Sequence, residues 1–219
     1  MDRYESVKMI LRNRDGDEAV RIFRMKFKEV LDDGDKSVVL FDDPADVKGT
    51  ALLSFSHPLE QDDQWLYLPA LKRVKRISSK NKSGPFMASE FAYEDIASQE
   101  AEKFRYTYLR DERLEGMDCF VLEREPLYAH SGYRRQIVWL DKEHYRVYKI
   151  ESYDRRDRLL KTLNMVGYQR YLNQFWRPDK ISMVNHQSGK STDLLWSEYA
   201  FRINTRESDF KPNSLKRLR

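Results

Sequence analysis

Few side chains in this sequence could carry covalent chemistry. The four histidines are His57, His130, His144 and His186. None stands four residues from another, and none sits in a His-Glu-x-x-His arrangement, the spacing that puts two imidazoles on one helix face around a zinc ion. One cysteine, Cys119, is too few for an internal disulfide or a thiolate-held metal cluster. It reads as a small apolar residue in a strand. Gly189-Lys190-Ser191 ends like a phosphate-binding loop, but that motif needs a glycine five residues upstream, where Val184 stands. The segment also falls at a hairpin tip and not between a strand and a helix. The carboxylate pairs Glu123 and Glu125, Glu94 and Asp95, and Asp62 and Asp63 read as solvated charge. No Gly-x-Ser-x-Gly elbow and no glycine-rich dinucleotide fingerprint occurs. The densest charged feature is Lys72-Arg73-Val74-Lys75-Arg76, followed by Lys80 and Lys82. Such a run attracts an anion (a lipid headgroup, an acidic partner, a nucleic acid) or guards an exposed sheet edge against aggregation.

The elements that must position these groups are mostly strands. Phe23, Met25 and Phe27 alternate with Arg24, Lys26 and Lys28, and Phe104, Tyr106 and Tyr108 alternate with Arg105 and Thr107. A period of two belongs to a strand. Polar turns at Asp32–Asp35, Glu115-Gly116, Asp141–His144, Asp154–Arg158 and Gln187–Lys190 separate such runs. This punctuation predicts an antiparallel meander of about ten or eleven strands. A sheet that long accumulates twist and curls. Tyr4, Val7, Met9, Ile10 and Leu11 suggest a short N-terminal helix, and Ser89 a cap for a second over 90–101. The Ser-, Lys- and Gly-rich stretch 78–88 reads as a mobile loop. Val38–Phe41 and Ile137–Leu140 are apolar on both faces, so they are either central core strands or strands with one face on a lined cavity.

Length and charge bound the rest. The chain has 219 residues, and 40 basic minus 36 acidic residues leaves +4. It is read as one domain, residues 1–219. The modest charge argues against a nucleic-acid partner. No apolar run approaches the ~20 residues of a spanning helix, and no secretory leader precedes Asp2.

The most informative stretch is 62–96. It runs Asp62-Asp63-Gln64-Trp65-Leu66-Tyr67-Leu68-Pro69, then the basic run and Ile77, then Ser83-Gly84-Pro85-Phe86-Met87-Ala88-Ser89-Glu90-Phe91-Ala92-Tyr93-Glu94-Asp95-Ile96. Its Trp-x-Tyr-x-Pro strand, basic run and Ser-x-Phe-x-Tyr-Glu-Asp ending resemble the outer membrane lipoprotein-sorting proteins, relatives of the periplasmic lipoprotein carrier LolA. Ala88 departs from the pattern, which has glycine there. The resemblance implies a mainly β, α+β fold: an incomplete, strongly curved antiparallel barrel whose concave face lies under a few helices and a loop acting as a lid. It implies a Gram-negative periplasmic carrier or chaperone that holds acyl chains of a lipid or lipoprotein and performs no covalent chemistry. No cofactor is implied. Implied partners are the acyl chains and either a resistance-nodulation-division exporter or an outer-membrane acceptor. Export is implied by the resemblance alone.

On this reading Phe23, Met25, Phe27, Leu53, Phe55, Trp65, Tyr67, Phe104, Tyr106, Tyr108 and Trp139 are expected to line the pocket. Phe86, Met87 and Phe91 are expected in the lid, and Lys72, Arg73, Lys75 and Arg76 against a headgroup or partner. Two other readings stand beside it. One is an enzyme acting on a small aromatic substrate, since an enzyme of the violacein pathway shares the scaffold. The other is a domain that docks on an exporter with its interior filled. Polar groups with perturbed titration in the pocket would favour chemistry, and a continuous apolar wall would favour transport.

Overall fold

The computed structural model describes residues 2–31 and 33–218, so Asp32 of the first predicted turn lies outside the described residues. Thirteen strands among the described residues form one antiparallel sheet. The first six are β1 (Arg3–Arg12), β2 (Glu18–Lys28), β3 (Lys36–Asp43), β4 (Ala51–Phe55), β5 (Asp63–Leu68) and β6 (Arg73–Arg76). After a long excursion the chain returns as β7 (Phe104–Leu114), β8 (Met117–Pro126), β9 (Arg135–Asp141) and β10 (Val147–Tyr153). It ends in β11 (Leu159–Tyr171), β12 (Phe175–Asn185) and β13 (Ser191–Phe201). The spatial order is 6-5-4-3-2-1-13-12-11-10-9-8-7. Two meanders are therefore stitched together at the centre by β1 against β13, with Val7 opposite Trp196 and Met9 opposite Leu194. The sheet curls without closing into a barrel: β6 and β7 are its edges.

The strand count exceeds the expected ten or eleven, and the reasons are local. The segment expected to be an N-terminal helix is β1. Val7, Met9 and Leu11 alternate toward one core, and Ile10 is the odd apolar residue on the opposite face. The basic run supplies the short edge strand β6, with Arg73, Lys75 and Arg76 exposed. The expected helix over 90–101 shrinks to one turn, α1 (Tyr93–Ile96). Ser89 does not cap it. Its hydroxyl donates to the Phe86 carbonyl (2.6 Å) and accepts from the Phe91 N–H (3.2 Å), closing a local turn.

Two hairpins use left-handed residue pairs that match strand twist. Glu115 and Gly116 have φ 49° and 89°, and Leu172 and Asn173 have φ 50° and 54°. The second hairpin joins β11 and β12, and its turn signal is the single Asn173, a residue that tolerates the left-handed region.

Both faces of the sheet are covered, by different means. The concave core gathers Val7, Met9, Phe23, Met25, Val39, Phe41, Leu52, Val138, Leu163, Met183 and Leu194, closed by Phe86 and Phe91 from the excursion between β6 and β7. Behind β3–β5 a second core holds Val38, Leu40, Ala51 and Leu53 against Phe210 and Leu215. These come from two 3-10 segments after β13, Glu207–Phe210 and Pro212–Arg217. A third, small cluster packs Cys119, Val121, Ile137 and Trp139 behind β8 and β9.

Candidate functional site

The concave face and the excursion enclose a cavity of about 590 Å³. That lies within the ~300–1,000 Å³ range of small-molecule sites. Its inner wall is apolar: Phe23, Met25 and Phe27 of β2, Val39 of β3, Leu163 and Met165 of β11, Ile181 of β12 and Leu194 of β13. Phe86, Phe91 and Ile96 roof it. Phe86 is fully buried, tilted against Phe41 (5.8 Å) and edge-to-face with Tyr93 (5.6 Å).

The lid is tied at both ends. Its distal end sits over the β1–β2 and β12–β13 hairpins. There the Glu90 N–H donates to Thr192 Oγ1 (3.0 Å), Asn185 Nδ2 donates to Glu90 Oε2 (2.7 Å), and Arg21 donates to the Met87 carbonyl. Its root is α1, where a buried polar cluster forms. Glu94 accepts from the Gly132 N–H (2.8 Å), Ser131 Oγ (2.8 Å) and Tyr128 Oη (2.9 Å). Asp95 accepts from Tyr133 Oη (2.8 Å) and the Ala92 N–H (2.7 Å). Lys161 Nζ donates to Tyr133 Oη (3.2 Å). Burial, with Asp95 adjacent, raises the Glu94 carboxyl above its ordinary range. Burial likewise pushes the Tyr128 and Tyr133 phenols up. The cluster has the perturbed titration that chemistry would use. Its carboxylate oxygens, however, are already engaged by donors of the chain itself, so the arrangement anchors the lid.

The opposite end of the cavity is the mouth. The starts of β1, β10 and β12 and the ends of β2, β11 and β13 meet there, and two exposed lining residues, Tyr145 and Gln174, mark the opening. Aromatic and charged side chains alternate around it: Tyr168, Trp176, Trp196 and Tyr199 with Arg3, Glu5, Arg146 and Arg177. Gly167, at φ 70°, re-aims β11 so that Tyr168 joins the side of Met165, its hydroxyl 3.3 Å from the sulfur. A shift of register after Ser6 does the same for Tyr199 on β13. Arg3 pairs with Glu5 (2.6 Å) and lies 3.6 Å over the Phe27 ring. Trp196 Nε1 holds the other Glu5 oxygen at 2.7 Å. Arg146 pairs with Asp141 (2.9 Å) and faces the Trp176 ring at 4.4 Å.

The expected pocket residues divide sharply. Phe23, Met25, Phe27, Phe86 and Phe91 come together on the cavity, while Met87 packs on the same core beside it. Leu53, Phe55, Trp65 and Tyr67 face the other side, under the C-terminal segments, because these strands bury both faces. Trp139 is likewise behind the sheet, its Nε1 donating to Glu112 (3.1 Å). Phe104 is buried against Tyr128 (5.9 Å) under the Arg124 guanidinium (4.4 Å), outside the cavity. Tyr106 and Tyr108 lie on the edge strand β7, 44% and 57% exposed. Lys72, Arg73, Lys75 and Arg76 are exposed at the other edge, where Arg76 pairs with Asp63. The stretch 78–88 is folded down on the sheet by buried Phe86 and by Lys82, which donates to the Asp62 carbonyl. The whole mouth was missed in the sequence. Its one signal was the crowding of aromatics between Tyr168 and Phe201.

A protein-family profile described as an uncharacterized protein family matches residues 33–217. No curated protein matches the chain. Among solved structures, one described as an outer membrane lipoprotein-sorting protein domain from Vibrio parahaemolyticus is 54% identical, with a TM-score of 0.96 over 98% of this chain and 91% of that one. A DUF1329 family protein from Desulfovibrio piger is 30% identical, with a TM-score of 0.92 over 98% and 91% of the two chains. A LolA superfamily protein from Nitrosomonas europaea shares the fold at 24% identity, with a TM-score of 0.78 over 96% and 90%.

Proposed function

The chain belongs to the outer membrane lipoprotein-sorting protein family, and from that premise we propose that it is a periplasmic carrier that takes an acyl chain of a lipid or lipoprotein into its concave cavity and passes it toward the outer membrane, without covalent chemistry. The observation that carries this reading is the cavity itself: a roofed hollow of about 590 Å³ whose inner wall is Phe, Met, Leu, Ile and Val. Each methylene buried there gains roughly 0.8 kcal/mol over water. An acyl chain that cannot cross an aqueous space unaided crosses inside such a wall. Two cavity methionines, Met25 and Met165, adapt their shape to chains of different length and kink. At about 30 Å³ per water-sized unit the hollow holds on the order of 20 such units, the bulk of one chain. A multiply acylated anchor would need the lid to lift.

Phe86, Met87 and Phe91 belong to that lid. Lys72, Arg73, Lys75 and Arg76, at the exposed edge strand β6 and outside the cavity lining, meet an anionic headgroup of the membrane surface, an exporter of the resistance-nodulation-division type or an outer-membrane acceptor. The test is extraction of the protein purified from the cell envelope, followed by mass spectrometry. The expected result is acyl species in near-stoichiometric amount. Protein that carries none, and that fails to take up a fluorescent fatty acid, would overturn the proposal.

A further inference from the structure

Three arginines line the cavity, and they are not equivalent. Arg3 and Arg146 are neutralised by Glu5 and Asp141 at 2.6 and 2.9 Å. Arg177 has no carboxylate within ion-pairing distance among the described residues. Its Nη1 donates to the neighbouring Trp176 carbonyl at 2.8 Å. It stands on the cavity wall at the mouth, and the nearby tyrosine hydroxyls are committed elsewhere: Tyr168 to the Val147 carbonyl (2.5 Å) and Tyr199 to the Pro178 carbonyl (2.8 Å). The guanidinium is half-buried, and a cation partly withdrawn from water without an ion-pair partner carries a desolvation cost that an anionic ligand relieves. A guanidinium offers five N–H donors in a planar fork that fits a carboxylate or phosphate bidentately.

Resting on the carrier reading above, we propose that Arg177 is the headgroup receptor of the cavity, so that the ligand is a single-chain amphiphile with an oxyanion at its head, the head bound at Arg177 and the chain directed inward past Phe27 and Leu163 toward Phe86. Burial and the nearby Arg3 charge pull the Arg177 pKa down, only partly opposed by Glu5 beyond ion-pairing distance, and an incoming oxyanion offsets the remaining cost. The paired Arg3 and Arg146 remain with their own carboxylates and frame the site. A neutral head leaves the guanidinium uncompensated, and a cationic one is repelled.

The test is competition against a fluorescent acyl reporter with an uncharged head, using oleate, 1-oleoyl-lysophosphatidate and oleyl alcohol on the intact protein and on Arg177→Met and Arg177→Lys. A charge-assisted bidentate contact predicts that the wild type prefers both anions over the alcohol by about ten- to a hundredfold. Arg177→Met erases that preference while the alcohol's affinity stays within about twofold, which also shows that the variant is folded. Arg177→Lys keeps part of the preference, because it keeps the charge and loses the fork. The tighter of the two anions tells whether the head is a carboxylate or a phosphate. Equal wild-type affinity for all three competitors, or a loss in Arg177→Met that falls equally on all of them, overturns the assignment and leaves the carrier reading standing. If the reporter and all three competitors fail to bind, the carrier reading falls and this assignment with it.

Discussion

Glu94 offers the sharpest test of how the lid is held. Its carboxylate is buried and receives three donors from the 128–132 loop, so α1 is fastened to the far half of the sheet through one side chain. Replacing it with alanine removes all three bonds and leaves the Gly132 N–H without its acceptor. Each lost bond to a charged acceptor is worth about 1.5–3 kcal/mol. Relief of a buried charge beside Asp95 offsets part of this. We therefore expect Glu94→Ala to lose about 3 kcal/mol, or roughly 6–12 °C in Tm for a chain of this size. Glu94→Gln keeps an acceptor for Gly132, and the Ser131 and Tyr128 hydroxyls can rotate to accept from its amide. It should stay within about 1 kcal/mol of the wild type.

The pH dependence follows from the sign of the shift. The folded carboxyl is held above its ordinary value of 4.5, so the stability supplied by its neutral form is complete below that pH and is lost as pH rises through the raised value. Glu94→Gln has no such titration and gains on the wild type as pH rises from 4.5. Denaturant titrations at several pH values, with hydrogen exchange of the 84–97 amides, measure both effects. If Glu94→Ala matched the wild type within about 0.5 kcal/mol, or if lid amides exchanged no faster, the latch assignment would be wrong.

Three further outcomes follow from the same geometry. Ala88 is held at φ 58°, where a side chain costs about 1–2 kcal/mol, so Ala88→Gly should raise stability by roughly 0.5–1 kcal/mol after the entropy of the unfolded glycine is subtracted; a thermal melt that moves down would contradict this. Leu215 is 1% exposed in the core behind β3–β5; Leu215→Ala should cost about 2–5 kcal/mol and leave acyl binding per folded molecule unchanged, as measured by reporter titration. Leu163→Trp puts an indole into the cavity, so reporter affinity should fall at least about tenfold while overpacking costs no more than about 1–3 kcal/mol.

How far the fold and site could be read from the residues depended on which face of each strand was covered. Phe23, Met25 and Phe27 alternate with charged residues, so they share one apolar face, and the cavity lies there. Leu53, Phe55, Trp65 and Tyr67 belong to strands apolar on both sides. Their true neighbours, Phe210 and Leu215, sit in a tail whose composition is mostly polar, so nothing local announced that it packs under the sheet. β1 passed for a helix because Ile10 and Leu11 fall side by side and blur the alternation of Val7, Met9 and Leu11. The mouth was hidden for a different reason: Gly167 and the register shift near Ser6 break the period of two, and those breaks put Tyr168 and Tyr199 on the cavity side. Ala88 was picked out as a departure from a glycine-bearing pattern, and its left-handed backbone gives the physical reason glycine suits that position.

Photocrosslinking locates the bound acyl chain within the fold. A palmitate analogue with a diazirine near its methyl end, irradiated on the intact protein and mapped by peptide mass spectrometry, should label residues of the inner concave wall and roof, with Phe23, Leu163, Leu194 and Phe86 among them. Labelling confined to the surface behind β3–β5 or to the exposed β7 edge, or none above an unliganded control, would mean that the concave cavity does not hold the chain.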